Sequence, residues 1–155
     1  MNLAAVNEGI ARLVQQLRAA GLLDDQFSQL LQLQDDSNPD FVQEIVELYF
    51  TDSTSKLEKL EQRLTTSHPD YAEVDQLVHQ FKGSSASFGA SSMAQLCAKL
   101  RETCQAQDQA GCQSLVAQAR EVFQVLRSQL EIFLQLEKHR KALESQASQQ
   151  GQNLV

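Results

Sequence analysis

Only two prolines interrupt this chain of 155 residues, and both stand in nearly the same setting, Ser37-Asn38-Pro39-Asp40 and Ser67-His68-Pro69-Asp70. A fold of many short strands needs glycine or proline at its turns, and six glycines with two prolines are too few for that. Long uninterrupted segments are left, and their apolar residues recur at three- and four-residue steps, the spacing of one helix face. Each proline opens such a segment. Proline at the first helical position lacks an amide hydrogen that would be orphaned there anyway, and a neighbouring aspartate suits the helix dipole. Both tetrapeptides therefore predict helix starts.

Leu3, Val6, Ile10, Leu13, Val14 and Leu17 form the stripe of a first helix ending near Gly21. The shorter segment LLDDQFSQLLQLQ carries Phe27, Leu30 and Leu31 on one side and is expected to fold back on the first, making a helical hairpin over about residues 1–35. A third helix is predicted from about Pro39 to Thr65 with Phe41, Ile45, Leu48, Leu57, Leu60 and Leu64 inward, and a fourth from about Pro69 to Gly89. A fifth covers roughly Ser92 to Ala106, and a sixth runs from near Gly111 to Glu144 with Leu115, Val122, Phe123, Leu126, Leu130 and Phe133. The expected fold is all-α in a single domain: an antiparallel four-helix bundle over about residues 38–144 with the N-terminal helical pair added. Residues 146–155, rich in Gln and Ser, have little to bury and are expected to form a flexible tail.

Charge narrows the function. Asp and Glu outnumber Lys and Arg by 20 to 13, and a net charge of -7 repels a phosphate backbone, so nucleic acid is not expected as a ligand. The start, MNLAAVNEGIARL, lacks the apolar stretch of a secretory signal, and no apolar run approaches the roughly 18 residues of a membrane span. A soluble intracellular protein is expected. Cys97, Cys104 and Cys112 make an odd count without a CxxC pair, which argues against a disulfide framework or a zinc knuckle. Cys97 and Cys104 fall nearly on one helix face and read as reduced core thiols. No metal or cofactor of its own is expected.

The fourth helix holds the residues that packing does not explain, in VHQFKGSSASFGA, residues 78–90. Wound at ~100° per residue, Val74, Val78, Phe81, Ser85 and Phe88 share one core stripe. His79 points roughly 140° away from it, with Ala72, Asp75, Lys82, Gly83, Ala86 and Ala90. Small residues around one imidazole are unusual on a solvated face. Gly83 costs about 1 kcal/mol against alanine inside a helix, and clearance for an approaching backbone or tetrahedral phosphoryl group would account for it. Lys82, on the same turn as His79, can bring an ammonium to whatever the ring holds. A cation there disfavours a protonated ring and steadies a dianionic adduct, and nucleophilic attack requires a free ring-nitrogen lone pair.

HQFKGSSASFGA, followed by MAQLCAKLRETCQ, resembles the plant-type histidine-containing phosphotransfer proteins, whose signature reads His-Gln-x-Lys-Gly-Ser-Ser. The helix order, N-terminal pair, two later cysteines and length are similar over nearly the whole chain. The resemblance implies a phosphorelay carrier without independent kinase activity. His79 would take a phosphoryl group from a receiver-domain aspartate of a hybrid sensor kinase and pass it to an aspartate of a response regulator. Lys82 and Gly83 would support it, and Gln80, Ser84 and Ser85 complete the signature, although Ser85 faces the core by winding. Magnesium would sit on the partner's receiver domain. Cytokinin-type signalling, a monomeric state and a cytoplasmic and nuclear location are also implied. Many relatives carry basic residues after the Gly-Ala pair, where this chain has Ser91, Ser92 and Ala94, leaving Lys82 as the nearest predicted cation.

The docking surface is expected around the histidine, with Ala72, Ala86 and Ala90 as its floor, Asp75 and Gln76 within it, and the N-terminal hairpin and third helix at its edges. A helical adaptor that binds receiver domains without accepting phosphate is the alternative, which a missing histidine would have favoured. A metal-dependent helical enzyme would need ExxH pairs on facing helices, and none is seen. His68 reads as a solvated loop residue and His139 as one of several cationic groups near a helix end. The Glu58–Arg63 charge cluster reads as a solvated face with intrahelical pairs. Ser84, Ser85 and Ser87 have no acidic or second histidine neighbour in sequence and read as ordinary helix serines.

Overall fold

A computed structural model describes residues 2–153, in which six helices and no strand form. They are α1 (Leu3–Ala19), α2 (Asp25–Leu31), α3 (Phe41–Leu64), α4 (Tyr71–Phe88), α5 (Ser91–Gln105) and α6 (Gln109–Asn153). Helices α3 to α6 close a ring in which α3 touches α4, α4 touches α5, α5 touches α6, and α6 returns to α3. Short connections make chain neighbours antiparallel, as a four-helix bundle requires. Among the described residues no helix is long and apolar enough to cross a membrane.

Both prolines lie one step outside the expected place. Pro69 precedes the N-cap Asp70, whose side chain accepts from the Glu73 amide, and Pro39 precedes Asp40, which reaches Lys141 at 3.0 Å instead of capping its own helix. The capping carboxylate competes for the boundary and wins at Asp70, because it satisfies an orphan amide that proline can only do without. Leu48, expected inward, is 68% exposed, since it lies on the far side of α3 from Val46, Ser53, Leu57 and Leu64. At the other end, α6 continues to Asn153 where a frayed tail was expected. Gln, Ser and Ala cost a helix little, so a long preceding helix propagates through them without burial.

The N-terminal pair does not fold chiefly on itself: α1 rests on α6 and α2 on α4. Seven residues of α2 are too few to cover the stripe of α1, and its best apolar group is spent elsewhere. Phe27 is fully buried, with its ring centroid 5.3 Å from Phe88 and 5.7 Å from Phe133. Gly89 makes this possible. It ends α4 with φ +92°, and a Cβ there would lie 2.4 Å from the backbone nitrogen of Phe27. The Asp24 amide donates to the Gly89 carbonyl at 2.9 Å, closing the seam between α2 and the α4–α5 turn. Ser91 donates to the Gly21 carbonyl at 2.8 Å, and Ser92 reaches the same oxygen. The serines that stand where basic residues were noted in relatives thus tie the α1–α2 link to the start of α5.

Candidate functional site

The face of α4 that carries His79 is set by the opposite face. Val74, Val78, Phe81, Ser85 and Phe88 are all buried, as the winding predicts. Tyr49 stacks on Phe88 at 4.3 Å, nearly parallel, and its hydroxyl lies 2.8 Å from the Ser85 Oγ. Ser85 is therefore a packing residue. Burial of Tyr49 pushes its phenol up to about 12, the penalty for charging a group cut off from water. With the helix locked in rotation, its outer side can face only solvent or a visitor.

On that outer side His79 is exposed, together with Ala72, Gln76, Gln80, Gly83 and Ala86. Asp75, Lys82 and Ser84 are half-buried, and Ser84 donates back to the Phe81 carbonyl at 3.1 Å. Ala90 departs from expectation, being fully buried. It caps α5 just after the left-handed Gly89, and that change of direction turns it into the core and away from the docking face. A Cβ built on Gly83 meets nothing within 4 Å. The protein's own packing does not require glycine there.

The nearest cation was not foreseen. Arg101 of α5 places Nη1 3.2 Å from Nδ1 of His79. Its Nε and Nη2 lie 3.2 and 3.4 Å from the two carboxylate oxygens of Asp75, one turn before the histidine. Asp75 thus holds the guanidinium by a two-pronged contact, and the third nitrogen of the fork is left for the imidazole. Lys82 lies within reach of Cys97 of α5, where its charge opposes part of the effect of burial on the thiol. The predicted cation and the one in contact are different residues.

Beside this face, α2, α3 and α4 enclose an open apolar groove of about 460 Å³. Leu30, Ile45 and Leu48 form its outer edges, and Ser84 and Ser87 form its α4 wall. Of the N-terminal pair, α2 reaches this groove through Leu30, and α3 lines its other side. His68 and His139 are both exposed and apart from His79 in the fold. The Glu58–Arg63 cluster differs from the intrahelical pairing expected: Glu61 pairs with Arg120 of α6, and Arg63 with Glu73 of α4. Neighbouring helices offer better-placed partners than the next turn does.

All three cysteines lie in the core, and the Cys104 and Cys112 sulfurs are 3.8 Å apart. Burial pushes the thiols of Cys97 and Cys104 up to about 12, so both stay protonated and weakly nucleophilic at neutral pH.

Comparison with known proteins places these features in a family. The Hpt domain family profile matches residues 44–135, the span of most of α3, all of α4 and α5, and the first half of α6. The chain is 41% identical over 142 residues to histidine-containing phosphotransfer protein 1 of Oryza sativa subsp. japonica, covering 92% of this chain and 97% of that one. It is 42% identical over 115 residues to histidine-containing phosphotransfer protein 4 of Arabidopsis thaliana, covering 74% and 91%. The crystal structure of a histidine-containing phosphotransfer protein from maize superposes with a TM-score of 0.82 at 38% identity, covering 86% and 98%.

Proposed function

Because the chain belongs to the Hpt family of histidine phosphotransfer proteins, phosphorelay intermediates of plant two-component signalling, we propose that His79 is the residue that carries the phosphoryl group. A receiver-domain aspartyl phosphate on a hybrid sensor kinase is the donor, and an aspartate on a response regulator is the final acceptor. The observation that carries this reading is an exposed imidazole on a face of small residues, with open space at Gly83 one turn away.

The chemistry asked of the chain is modest. A ring nitrogen attacks phosphorus, the N–P bond forms, and the P–O bond to the donor aspartate breaks with its electron pair left on that carboxylate. Onward transfer reverses the geometry with a second aspartate as nucleophile. Receiver domains supply the acidic pocket and the magnesium, so the chain contributes position, clearance and positive charge, without kinase activity of its own. Gly83 leaves room for the incoming backbone, while Lys82 adds positive charge and the signature residues Gln80 and Ser84 are supporting positions on the same helix. Ala72, Asp75, Gln76 and Ala86 form the docking floor, bordered by the groove at Leu30, Ile45 and Leu48. The protein acts as a monomer in cytoplasm and nucleus, in signalling of the cytokinin type.

The test uses purified full-length protein and a receiver domain charged with labelled phosphate. The parent acquires an acid-labile, alkali-stable label, and His79→Gln acquires none. Labelling of His79→Gln at the parent rate would overturn His79 as the acceptor, whereas a parent that binds the charged receiver and acquires no label would leave the adaptor reading.

A further inference from the structure

The Asp75–Arg101–His79 cluster bears on how a carrier histidine is held before transfer, and the role assigned to it rests on the carrier reading. A guanidinium has only N–H donors, so Nη1, at 3.2 Å, donates and Nδ1 of His79 accepts. A neutral imidazole that accepts at Nδ1 keeps its hydrogen on Nε2. In this arrangement neither ring nitrogen offers a free lone pair. That of Nδ1 is engaged by Arg101, and Nε2 is occupied by hydrogen.

We propose that Arg101, held by Asp75, keeps His79 in a closed tautomer, and that the acceptor opens only when the guanidinium leaves Nδ1 for an incoming phosphoryl group. The planar fork of arginine fits phosphate oxygens as well as it fits a carboxylate, and a phosphoryl dianion offers it more charge than a neutral ring does. Once Nδ1 is released, Nε2 gives its hydrogen to water and Nδ1 takes one from water, with no net change in protons. Nε2 then holds the lone pair that attacks phosphorus. Its attack brings positive charge to the ring, and Nδ1–H can turn that charge toward Asp75, a neighbour one turn before it on the same helix. Asp75 is thus a positioning residue in both states, first holding the guanidinium and then facing the charged ring.

Two features favour a built device over a chance surface contact. Asp75 and Arg101 are each only about one-third exposed, at 30% and 33% of their side-chain surface, and the guanidinium is fixed by two bonds before it meets the ring. The charged groups of this cluster are Asp75 from α4, one turn before the ring, and Arg101 from α5. Of these, Arg101 alone is bonded to the ring.

The first test needs no phosphotransfer. Ring nitrogens of the isotope-labelled full chain are observed by NMR at alkaline pH, with exposed His68 and His139 as internal references. His79 is expected to show a larger Nε2–H share than either reference. Arg101→Gln returns it to theirs, and Asp75→Asn, which loosens the guanidinium without touching the ring, shifts it the same way. The second test compares donors. Phosphoramidate brings a phosphoryl group that no docked receiver holds against the guanidinium, so it draws Arg101 from Nδ1 poorly, and Arg101→Gln accepts from it about three- to tenfold faster than the parent, the scale of one lost hydrogen bond. From a charged receiver domain the same variant accepts more slowly, having lost the cation that steadies the phosphoryl group. An Nδ1–H ring in the parent, a tautomer ratio indifferent to Arg101, or equal phosphoramidate rates would each overturn the proposal. Failure of the carrier reading is separate, appearing as unchanged labelling of His79→Gln whatever the tautomer.

Discussion

Replacing Gly83 separates two demands that the same position meets in opposite directions. Inside a helix, glycine is less favourable than alanine by about 1 kcal/mol, because it gives up more backbone freedom on folding. Where a neighbour stands against the glycine, a new side chain collides with it and the gain is cancelled. Here a Cβ meets nothing within 4 Å, so the whole propensity difference should be recovered. Gly83→Ala is expected to be more stable by about 1 kcal/mol, roughly a fivefold change in the folding equilibrium constant. In a chain of this size that raises the melting temperature by about 2–4 °C. Gly83→Gln, with a propensity close to that of alanine, should gain nearly as much. Transfer moves the other way. The new side chain projects over the turn beside His79, into the volume a receiver needs, and displacing reacting groups by an ångström costs on the order of 100-fold. Single-turnover transfer from a charged receiver domain is therefore expected to fall only a few-fold in Gly83→Ala, and by about 10- to 100-fold in Gly83→Gln. Thermal melts and transfer rates on the same samples make the comparison. A Gly83→Gln protein that is stabilised yet transfers at the parent rate would refute the clearance reasoning, and one that is not stabilised would refute the account of the helix.

The other glycine with a structural reason behaves oppositely. Gly89→Ala forces a side chain onto φ +92° and against the Phe27 backbone, so it should destabilise by about 2–4 kcal/mol in chemical denaturation; a loss below about 1 kcal/mol would show that α2 is not seated as described. Alkaline stability follows from the buried phenol and thiols. The folded values of Tyr49, Cys97 and Cys104 all lie above their ordinary ones, at about 12. Their contribution is intact below pH 9 and is lost as pH rises toward 12. Denaturation midpoints should decline steadily over that window, and a flat profile would contradict the burial. By the same burial, a thiol reagent at neutral pH should titrate the cysteines only after urea is added.

Much of the fold was legible because it depends on periodicity. The apolar stripes of α3, α4 and α6 recur at helical spacing, and their buried members include Leu57, Leu60, Leu64, Val74, Phe81, Leu126 and Phe133. What periodicity could not resolve was where a stripe ends and what covers it. Leu48 is apolar and was counted with the stripe of α3, yet it lies across the helix from it and borders an open groove. Nothing in an apolar side chain's identity distinguishes a core position from a docking surface. Ala90 failed for another reason: the winding of α4 was continued past Gly89, where the backbone enters the left-handed region and the register is lost.

Arg101 was missed although a geometric signal for it exists in the chain. The α4–α5 turn is only two residues long, Gly89 and Ala90, so the two helices form a hairpin whose positions mirror about it. His79 stands eleven residues before Ala90 and Arg101 eleven after, which puts them level on adjacent helices. The residues just after the Gly-Ala pair, by contrast, lie about half the length of α4 from the histidine, roughly 15 Å along the helix. Ser91 and Ser92 sit at the α1–α2 link, where they serve the Gly21 carbonyl. A search for the histidine's cation along its own helix finds Lys82, and one at the start of α5 finds serines. Only folding the hairpin reaches Arg101, because antiparallel packing makes distance from the turn, and not distance in sequence, the measure of proximity.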